Sequence, residues 1–473
     1  MTKTIKKIFT DNLSSKEAKF RAAYFVSIFL SSITLLDILS TVLAAVTMIW
    51  GIFIFKENLK NKMENLKYSK IILLFLLFSI ITACINIKID FPISFLAGLV
   101  IIFHAAICFF VFYGMRIGTD FEQIKKEMFF LFKLTVVLAT AFVTLSFFLL
   151  LFRDAFNIGI TFPVLENYDH YERIIGIVKK TDSTRFTGVF INPNILAFVS
   201  VVSIIFCHIL CRAKQFFCEA KPKLKFCLAA FVMAFHFTAL VLSDSIASFL
   251  FLVIYIVLWL FYKLVLENRA LSIKNVLKRS TLFLLSGLVI VLGFFSIRAG
   301  FQNGASNLIE DVYSVIASTT SRADIDEDIH FGRQNYDLRE GNGRRKLLEQ
   351  AAYIFSKHPL FGIGSTNIVA YGDRYFDTGI AFSNFHNGYV SILVCYGLVG
   401  FVLFMAFLIF VLRDLIKFFF KKCYLCQQDV FVNLLMCILS YLVFALFEKT
   451  LLSEINFMSV LFWSVLGYSV MFL

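Results

Sequence analysis

Two short polar stretches hold the residue types best suited to chemistry in this chain. The first runs from Arg185 to Asn194 and ends in Asn-Pro-Asn, and the second is His386-Asn387-Gly388-Tyr389. Each stretch stands where a polar segment meets the start of a long apolar span, so we expect both at a boundary between water and membrane. Arginine binds phosphate oxygens in pairs, and histidine titrates close to neutral pH. These residues therefore suit chemistry on a lipid-linked, negatively charged substrate.

The composition is that of a protein embedded in a membrane. The chain has 473 residues, of which 59% are hydrophobic and 16% are charged, whereas soluble domains carry roughly a quarter charged residues. Apolar runs of about 20 residues recur along the whole length. The formal net charge is +13, which in a soluble protein would suggest nucleic acid as a partner. Here the lysines and arginines cluster in short loops, as cytoplasmic loops do, so we expect membrane lipids and no nucleic acid as partners.

The apolar runs predict an all-α integral membrane protein with about twelve transmembrane helices. The first run, Ala22 to Phe55, has lysines on both flanks, which indicates an even number of crossings and hence two helices that turn near Asp37. Every basic loop then falls on one side, so both termini are predicted to be cytoplasmic. An outer loop with balanced charge is expected at 153–185. The other predicted spans lie near 71–87, 91–115, 130–152, 188–211, 226–242, 246–264, 281–297, 388–412, 430–447 and 453–472.

The longest polar insertion, 298–385, follows the ninth predicted span and is expected to be one large extracytoplasmic loop. Apolar residues recur at helical spacing between Leu347 and Phe355, so 343–357 is predicted to form an amphipathic helix along the membrane surface. We find no internal repeat and no low-complexity linker. A single polytopic domain, 1–473, is therefore the simplest partition.

Three blocks of residues follow one another between positions 185 and 400. Arg185 to Asn194 reads R-x-x-G-x-x-x-N-P-N, and Arg344-x-x-x-Leu348 is followed by H-P-L-F-G-I-G at 358–364. His386-Asn387-x-Tyr389 is followed by G-x-x-G at 397–400. In type, spacing and order, the blocks resemble the bacterial O-antigen ligase and polysaccharide polymerase superfamily.

The chain departs from the family pattern at two positions. The family often has Ser-x-Ser-Arg at the turn between the seventh and eighth spans, whereas Ser243-Asp244-Ser245 is followed here by Ile246. One anion-binding charge implied by the resemblance is therefore missing or is supplied from elsewhere. The tryptophan that is usual after the second arginine block is replaced by Leu348. Neither departure affects the His-Asn motif.

The resemblance implies a GT-C-like fold and a metal-independent, inverting glycosyltransferase of the bacterial plasma (inner) membrane. The donor would be an oligosaccharide linked to undecaprenyl pyrophosphate. The glycan acceptor would be another lipid-linked unit in a polymerase, or a lipid core or other surface molecule in a ligase. No cofactor and no metal is expected, and other polysaccharide-assembly proteins are implied as partners.

The resemblance and the residue chemistry together assign roles in a site. His386 is the expected catalytic residue, as general base for the acceptor hydroxyl. The expected substrate-binding residues are arginines that stabilise pyrophosphate charge, with neighbouring amides and a phenol: Arg185, Arg344, Arg345, Asn192, Asn194, Asn387 and Tyr389. Simpler roles are also open, namely an interfacial anchor for Arg185, solvated charges for the paired arginines and a cap position for His386.

Charged residues near predicted helix ends add further candidates. Two arginines at the start of the loop helix oppose the helix dipole, which indicates a ligand or an acidic partner such as Glu340. Asp244, Glu448 and Glu454 are acids near membrane depth, where such residues are often functional. Carboxylates at helix ends can, however, simply reach water.

A transporter or flippase for lipid-linked sugars would share the span count and the basic loops. Transporters usually show similarity between their halves and polar residues near the midplane of several helices, whereas polarity here is concentrated in one loop. An enzyme is therefore favoured. The residues leave polymerase and ligase open. The amino-acid composition is rich in Phe, Ile, Lys and Asn, which indicates an AT-rich genome. Many capsule-making bacteria have such genomes, and this favours a polymerase.

Overall fold

The structure is a computed structural model of the chain. It describes residues 12–152, 171–174, 176–180, 183–215, 222–266, 332–333, 344–376, 385–422 and 429–473, together with short pieces between 281 and 311.

Within these residues, seven helices are long and apolar enough to cross a membrane. Each of them coincides with one of the predicted spans, which confirms a multi-pass membrane protein. The total of twelve spans and the GT-C-like arrangement stay predictions. The seven helices are Ile38–Glu57, Ile93–Arg116, Phe121–Leu150, Pro193–Arg212, Lys223–Ser243, Ile246–Leu264 and Gly388–Lys421.

The helices and strands follow the apolar runs and their capping residues. The α-helices are α1 Lys16–Leu30, α2 Asp37–Asn65, α3 Ser69–Ile85, α4 Ile93–Ile107, α5 Phe121–Phe152, α6 Pro193–Arg212, α7 Pro222–Ser243, α8 Ile246–Phe261, α9 Arg344–Lys357, α10 Ile368–Tyr375, α11 Gly388–Lys422, α12 Asp429–Phe444 and α13 Phe457–Val470. The strands are β1 Tyr171–Ile174, β2 Gly176–Lys180, β3 Ser183–Gly188 and β4 Gly332–Arg333.

Several predicted boundaries are confirmed. The first apolar run forms two helices, and α2 begins at Asp37, the predicted turn. The loop helix α9 begins at Arg344, one residue after the predicted start. Other helices run past the predicted spans, as α2 does to Asn65. Lysine and glutamate are good helix formers, so a helix continues where its apolar stretch has ended. The predicted span 281–297 lies mostly outside the described residues.

The chain divides into two compact units. Unit 1 comprises Met1–Ser32, Leu36–Leu131 and Asp337–Leu473, and unit 2 comprises Ile33–Leu35 and Phe132–Tyr336. The predicted single domain stays a prediction.

Unit 2 contains a small antiparallel sheet, with strand order β1-β2-β3-β4. The first three strands lie in and just after the segment predicted as an outer loop, 153–185, since β3 continues to Gly188. Tyr171 pairs with Lys180, and Ile177 pairs with Phe186. The described residues are mainly helical, as predicted, and this small sheet is an addition to that architecture. Strands of four to six residues give too short an alternation to stand out beside membrane-length apolar runs.

A largely buried ion network links residues of unit 1 on four helices. The Nε and Nη2 atoms of Arg21 on α1 donate to the two carboxylate oxygens of Glu127 on α5, each over 2.7 Å. Lys62 on α2 donates to Glu17 over 2.8 Å, and Tyr468 on α13 donates to Glu127 over 3.2 Å. Removing one partner of such a pair typically costs about 3–5 kcal/mol, because the other charge is left buried and uncompensated. The network thus fixes the helices of unit 1 against one another.

Helix α11 is broken at Gly397, where φ is 64° and ψ is −173°. This backbone conformation is essentially restricted to glycine. The segment after α9 packs against the break, and the Leu398 N–H donates to the Pro359 carbonyl over 2.7 Å. A Cβ atom on Gly397 would lie 2.2 Å from the Leu360 carbonyl oxygen. The G-x-x-G block therefore serves a close approach between two backbones.

The glycine-rich block that follows Pro359 completes this junction. The Ile363 and Gly364 N–H groups donate to the carbonyls of Val394 and Cys395 over 3.1 and 2.8 Å. These carbonyls lie beside the helix break. A Cβ atom on Gly362 would lie 2.5 Å from the Val394 oxygen. The junction ties α9 to the first, short half of α11, which begins directly after the His-Asn motif.

Candidate functional site

His386 lies directly before α11 in an unusual backbone conformation. Its φ is 47°, a left-handed value that is uncommon for residues other than glycine and that concentrates at functional sites. The next residue, Asn387, caps the helix, because its Oδ1 atom accepts hydrogen bonds from the N–H groups of Tyr389 and Val390, each over 3.0 Å. The His-Asn motif thus positions the histidine at a helix start and uses the asparagine oxygen as the cap.

The start of α11 is fixed to the turn between α12 and α13. The Gly388 N–H donates to the Ala445 carbonyl over 2.7 Å. The Tyr389 hydroxyl, a predicted substrate contact, donates to the Leu442 carbonyl over 2.9 Å. The imidazole is thereby placed beside the carboxylate of this turn, with His386 Nδ1 lying 3.5 Å from Glu448 Oε2. The side chain of His386 is 24% exposed and that of Glu448 is 10% exposed.

The two neighbouring arginines at the start of α9 have different surroundings. Arg344 Nη2 lies 4.0 Å from Glu448 Oε1, on the other side of the carboxylate from the histidine. Arg345 Nε donates to Glu349 on its own helix over 3.0 Å, and its side chain is 79% exposed. The acidic partner that the sequence suggested, Glu340, lies outside the described residues. The structure therefore brings Arg344 to the carboxylate that also faces the histidine, and it leaves Arg345 in water.

Unit 1 thus combines an imidazole, a carboxylate and a guanidinium around one turn. An imidazole can accept a proton from a hydroxyl near neutral pH. A guanidinium can bind phosphate oxygens with two parallel hydrogen bonds. Together these groups suit transfer of a group from a phosphate leaving group to a hydroxyl.

The R-x-x-G-x-x-x-N-P-N block forms a local structure in unit 2. Arg185 lies on β3, and its Nε atom donates to the Ser243 carbonyl over 2.9 Å while Nη2 donates to Asn194 Oδ1 over 2.7 Å. Asn192 caps α6 through a 2.9 Å bond from the Ile195 N–H to its Oδ1. Pro193 occupies the first helical position, where a missing N–H breaks no helix bond. Within the motif, Asn194 holds the partly exposed arginine, while Asn192 and Pro193 form the start of the helix that carries Asn194.

The turn after α7, where the family arginine is missing, holds an ion pair with an arginine from a distant segment. Asp244, where φ is 52°, is buried and forms an ion pair with Arg298. Gln302 Nε2 also approaches the same carboxylate oxygen, over 3.2 Å. Arg298 stands 54 residues further along the chain, so no local motif could have indicated it. Unit 2 thus supplies a guanidinium to this turn from a later segment.

Residues 228–405 match the family model for O-antigen ligase. The match confirms the superfamily that the three blocks predicted, and it indicates a membrane enzyme of the O-antigen ligase or polymerase type. Substrates of this type are lipid-linked oligosaccharides and glycan acceptors. The matched segment contains Arg344 and His386, whereas Arg185 precedes it. No curated protein matches the chain.

Proposed function

We propose that this protein is a membrane glycosyltransferase that moves glycan from an undecaprenyl-pyrophosphate-linked donor to a sugar hydroxyl, on the outer side of the bacterial plasma membrane. The observation that carries the proposal is the position of His386 within the O-antigen ligase segment, beside the carboxylate of Glu448 that Arg344 also approaches. The polysaccharide polymerase reaction is its first form, in which the acceptor is a second lipid-linked unit.

In this mechanism His386 is the general base. Its Nε2 atom accepts the proton of the acceptor hydroxyl, and the acceptor oxygen attacks the anomeric carbon of the donor sugar. The bond between that carbon and the pyrophosphate oxygen breaks, and its electron pair leaves with undecaprenyl pyrophosphate. A positioned base typically contributes about 10²- to 10⁴-fold in rate. Attack from the face opposite the leaving group inverts the anomeric configuration.

The arginines stabilise the charge that grows on the leaving group. We assign this role to Arg344 from its place near Glu448, the carboxylate beside the histidine, and to Arg185 from its motif and its partly exposed guanidinium. Loss of one preorganised donor to a developing oxyanion typically costs about 3–4 kcal/mol in the transition state. Lysine should restore only part of the rate, because it binds phosphate as a single point charge. No metal is needed for any step.

The ligase reaction is the second candidate, and the description of the matched family favours it. Deleting the gene separates the two reactions. Accumulation of single lipid-linked repeat units supports the polymerase, and accumulation of unattached long polymer supports the ligase.

Purified protein in proteoliposomes, supplied with the lipid-linked donor, tests whether the protein is an enzyme at all. We expect a new glycosidic bond and release of undecaprenyl pyrophosphate. Movement of intact lipid-linked sugar across the bilayer without bond formation contradicts the proposal and identifies a flippase.

A further inference from the structure

The turn between α12 and α13 places a carboxylate against the histidine that the mechanism uses as its base. We propose that Glu448 is a positioning residue for His386, which holds the imidazole in one tautomer and stabilises the imidazolium formed during transfer. The inference rests on the proposed function and adds to it a residue that no sequence block contains.

The position of the carboxylate is fixed by backbone contacts. The bond from Gly388 N–H to the Ala445 carbonyl joins the start of α11 to the turn that carries Glu448. A Cβ atom on Gly388 would lie 3.3 Å from both the Ala445 and the Glu448 carbonyl oxygens, so the glycine allows a close approach of the two backbones. The histidine precedes this contact by two residues, and its Nδ1 atom lies 3.5 Å from Oε2 of Glu448.

The surroundings of the carboxylate favour a role in a charged transition state. Its side chain is only 10% exposed, and burial of a carboxylate is costly unless charged or hydrogen-bonding partners compensate. The partners lie on opposite oxygens, because Oε2 faces His386 and Oε1 lies 4.0 Å from Arg344. The carboxylate thus lies between the base and a cation assigned to the leaving group. It is oriented by both.

In the proposed chemical step, each ring nitrogen of His386 has its own role. With Nδ1 and Oε2 3.5 Å apart, Glu448 is placed to accept a hydrogen bond from Nδ1–H during the reaction, which leaves the lone pair of Nε2 for the acceptor hydroxyl. When Nε2 takes the hydroxyl proton, the ring becomes an imidazolium whose positive charge faces the carboxylate. The carboxylate itself takes no proton, and the electron pair of the broken bond leaves with the pyrophosphate. This is the relation of carboxylate to imidazole found in nucleophile–histidine–acid triads.

A kinetic series separates positioning from a structural role. We expect Glu448→Gln, which keeps the size of the side chain and removes its charge, to lower kcat by about 10²-fold or more with little change in the KM for donor, within the ~10⁴-fold limit of a general base. The donor is the lipid-linked oligosaccharide extracted from cells that lack the protein. Glu448→Asp should restore part of kcat. Glu454→Gln is the matched control on the same turn, because Glu454 lies 3.8 Å from Lys449 and not on the histidine.

The double variant Glu448→Gln/His386→Ala gives the decisive comparison. If the carboxylate acts through the imidazole, the double variant transfers glycan no more slowly than His386→Ala alone, since residues that act as a unit are not additive. If the loss of rate in the double variant equals the product of the two single losses, or if Glu448→Gln keeps the wild-type kcat, the inference is wrong while the proposed function stands. Wild-type transfer by His386→Ala instead overturns the proposed function itself.

Discussion

The break in α11 should make the substitution Gly397→Ala strongly destabilising. The backbone there, at φ 64° and ψ −173°, costs a residue with a side chain about 1–3 kcal/mol. The added Cβ atom would lie 2.2 Å from the Leu360 carbonyl oxygen and 2.6 Å from the Phe361 nitrogen. Both are backbone atoms, so the clash is relieved only by moving the chain, at a typical overpacking cost of about 1–3 kcal/mol.

Together these effects should lower the free energy of unfolding by about 2–6 kcal/mol. Moving the chain would also weaken the bond from Leu398 N–H to the Pro359 carbonyl, which contributes about 1 kcal/mol. Because this junction fixes α9 to the first half of α11, kcat for glycan transfer should fall as well. Thermal unfolding of the purified protein in detergent and turnover of lipid-linked donor measure the two effects.

The control is Gly98→Ala in α4. Gly98 is helical, and a Cβ atom there would lie 3.4 Å from Thr366 Oγ1, an ordinary contact. Alanine in a compatible helical position is neutral or stabilises by up to about 1 kcal/mol. If Gly397→Ala unfolds within about 0.5 kcal/mol of the wild type, the backbone argument for the helix break is wrong.

Further substitutions test the surroundings of the arginines. Arg344→Ala should lower kcat for transfer by roughly 100-fold or more. Arg345→Ala should stay within a fewfold of the wild-type kcat, because the Arg345 side chain is exposed and paired on its own helix. Equal losses of kcat in the two variants would contradict this distinction. Asn194→Ala removes the oxygen that holds the β3 guanidinium and should raise the KM for donor in transfer assays, with an unchanged KM counting against that role. Asp244→Ala should destabilise unit 2 in thermal unfolding, since it removes the buried partner of Arg298. The double variant with the charges exchanged, Asp244→Arg/Arg298→Asp, should recover part of the lost stability. No destabilisation in Asp244→Ala would show that the ion pair contributes little.

Local patterns predicted much of the fold. Lysines on both flanks of the first apolar run predicted two helices with a turn at Asp37, because positive flanks on the same side of the membrane require an even number of crossings. The spacing of apolar residues predicted α9 almost to the residue. The span predicted at 188–211 forms α6, which begins at Pro193, later than predicted, because Asn192 caps the helix and proline suits its first turn.

Local sequence patterns could not predict contacts between distant segments. The break at Gly397 lies within a continuous apolar run, and its cause is the docking of a backbone from the segment after α9. Glu448 could be named only as an acid near a helix end, because its approach to His386 depends on the packing of α11 against the α12–α13 turn. Arg298 reaches Asp244 across 54 residues. In each case the partner is set by tertiary packing and not by spacing along the chain.

The most direct test of the account is the rate of glycan transfer by purified His386→Ala protein. His358→Ala serves as the matched control, since His358 is also a loop histidine of unit 1 and partial burial lowers the pKa of its imidazole. We predict that His386→Ala binds lipid-linked donor and folds as the wild type does, yet transfers about 10²- to 10⁴-fold more slowly. His358→Ala should stay within about tenfold of the wild-type rate, and EDTA should leave the wild-type rate unchanged. Near-normal transfer by His386→Ala, or loss of wild-type activity in EDTA, would contradict the mechanism.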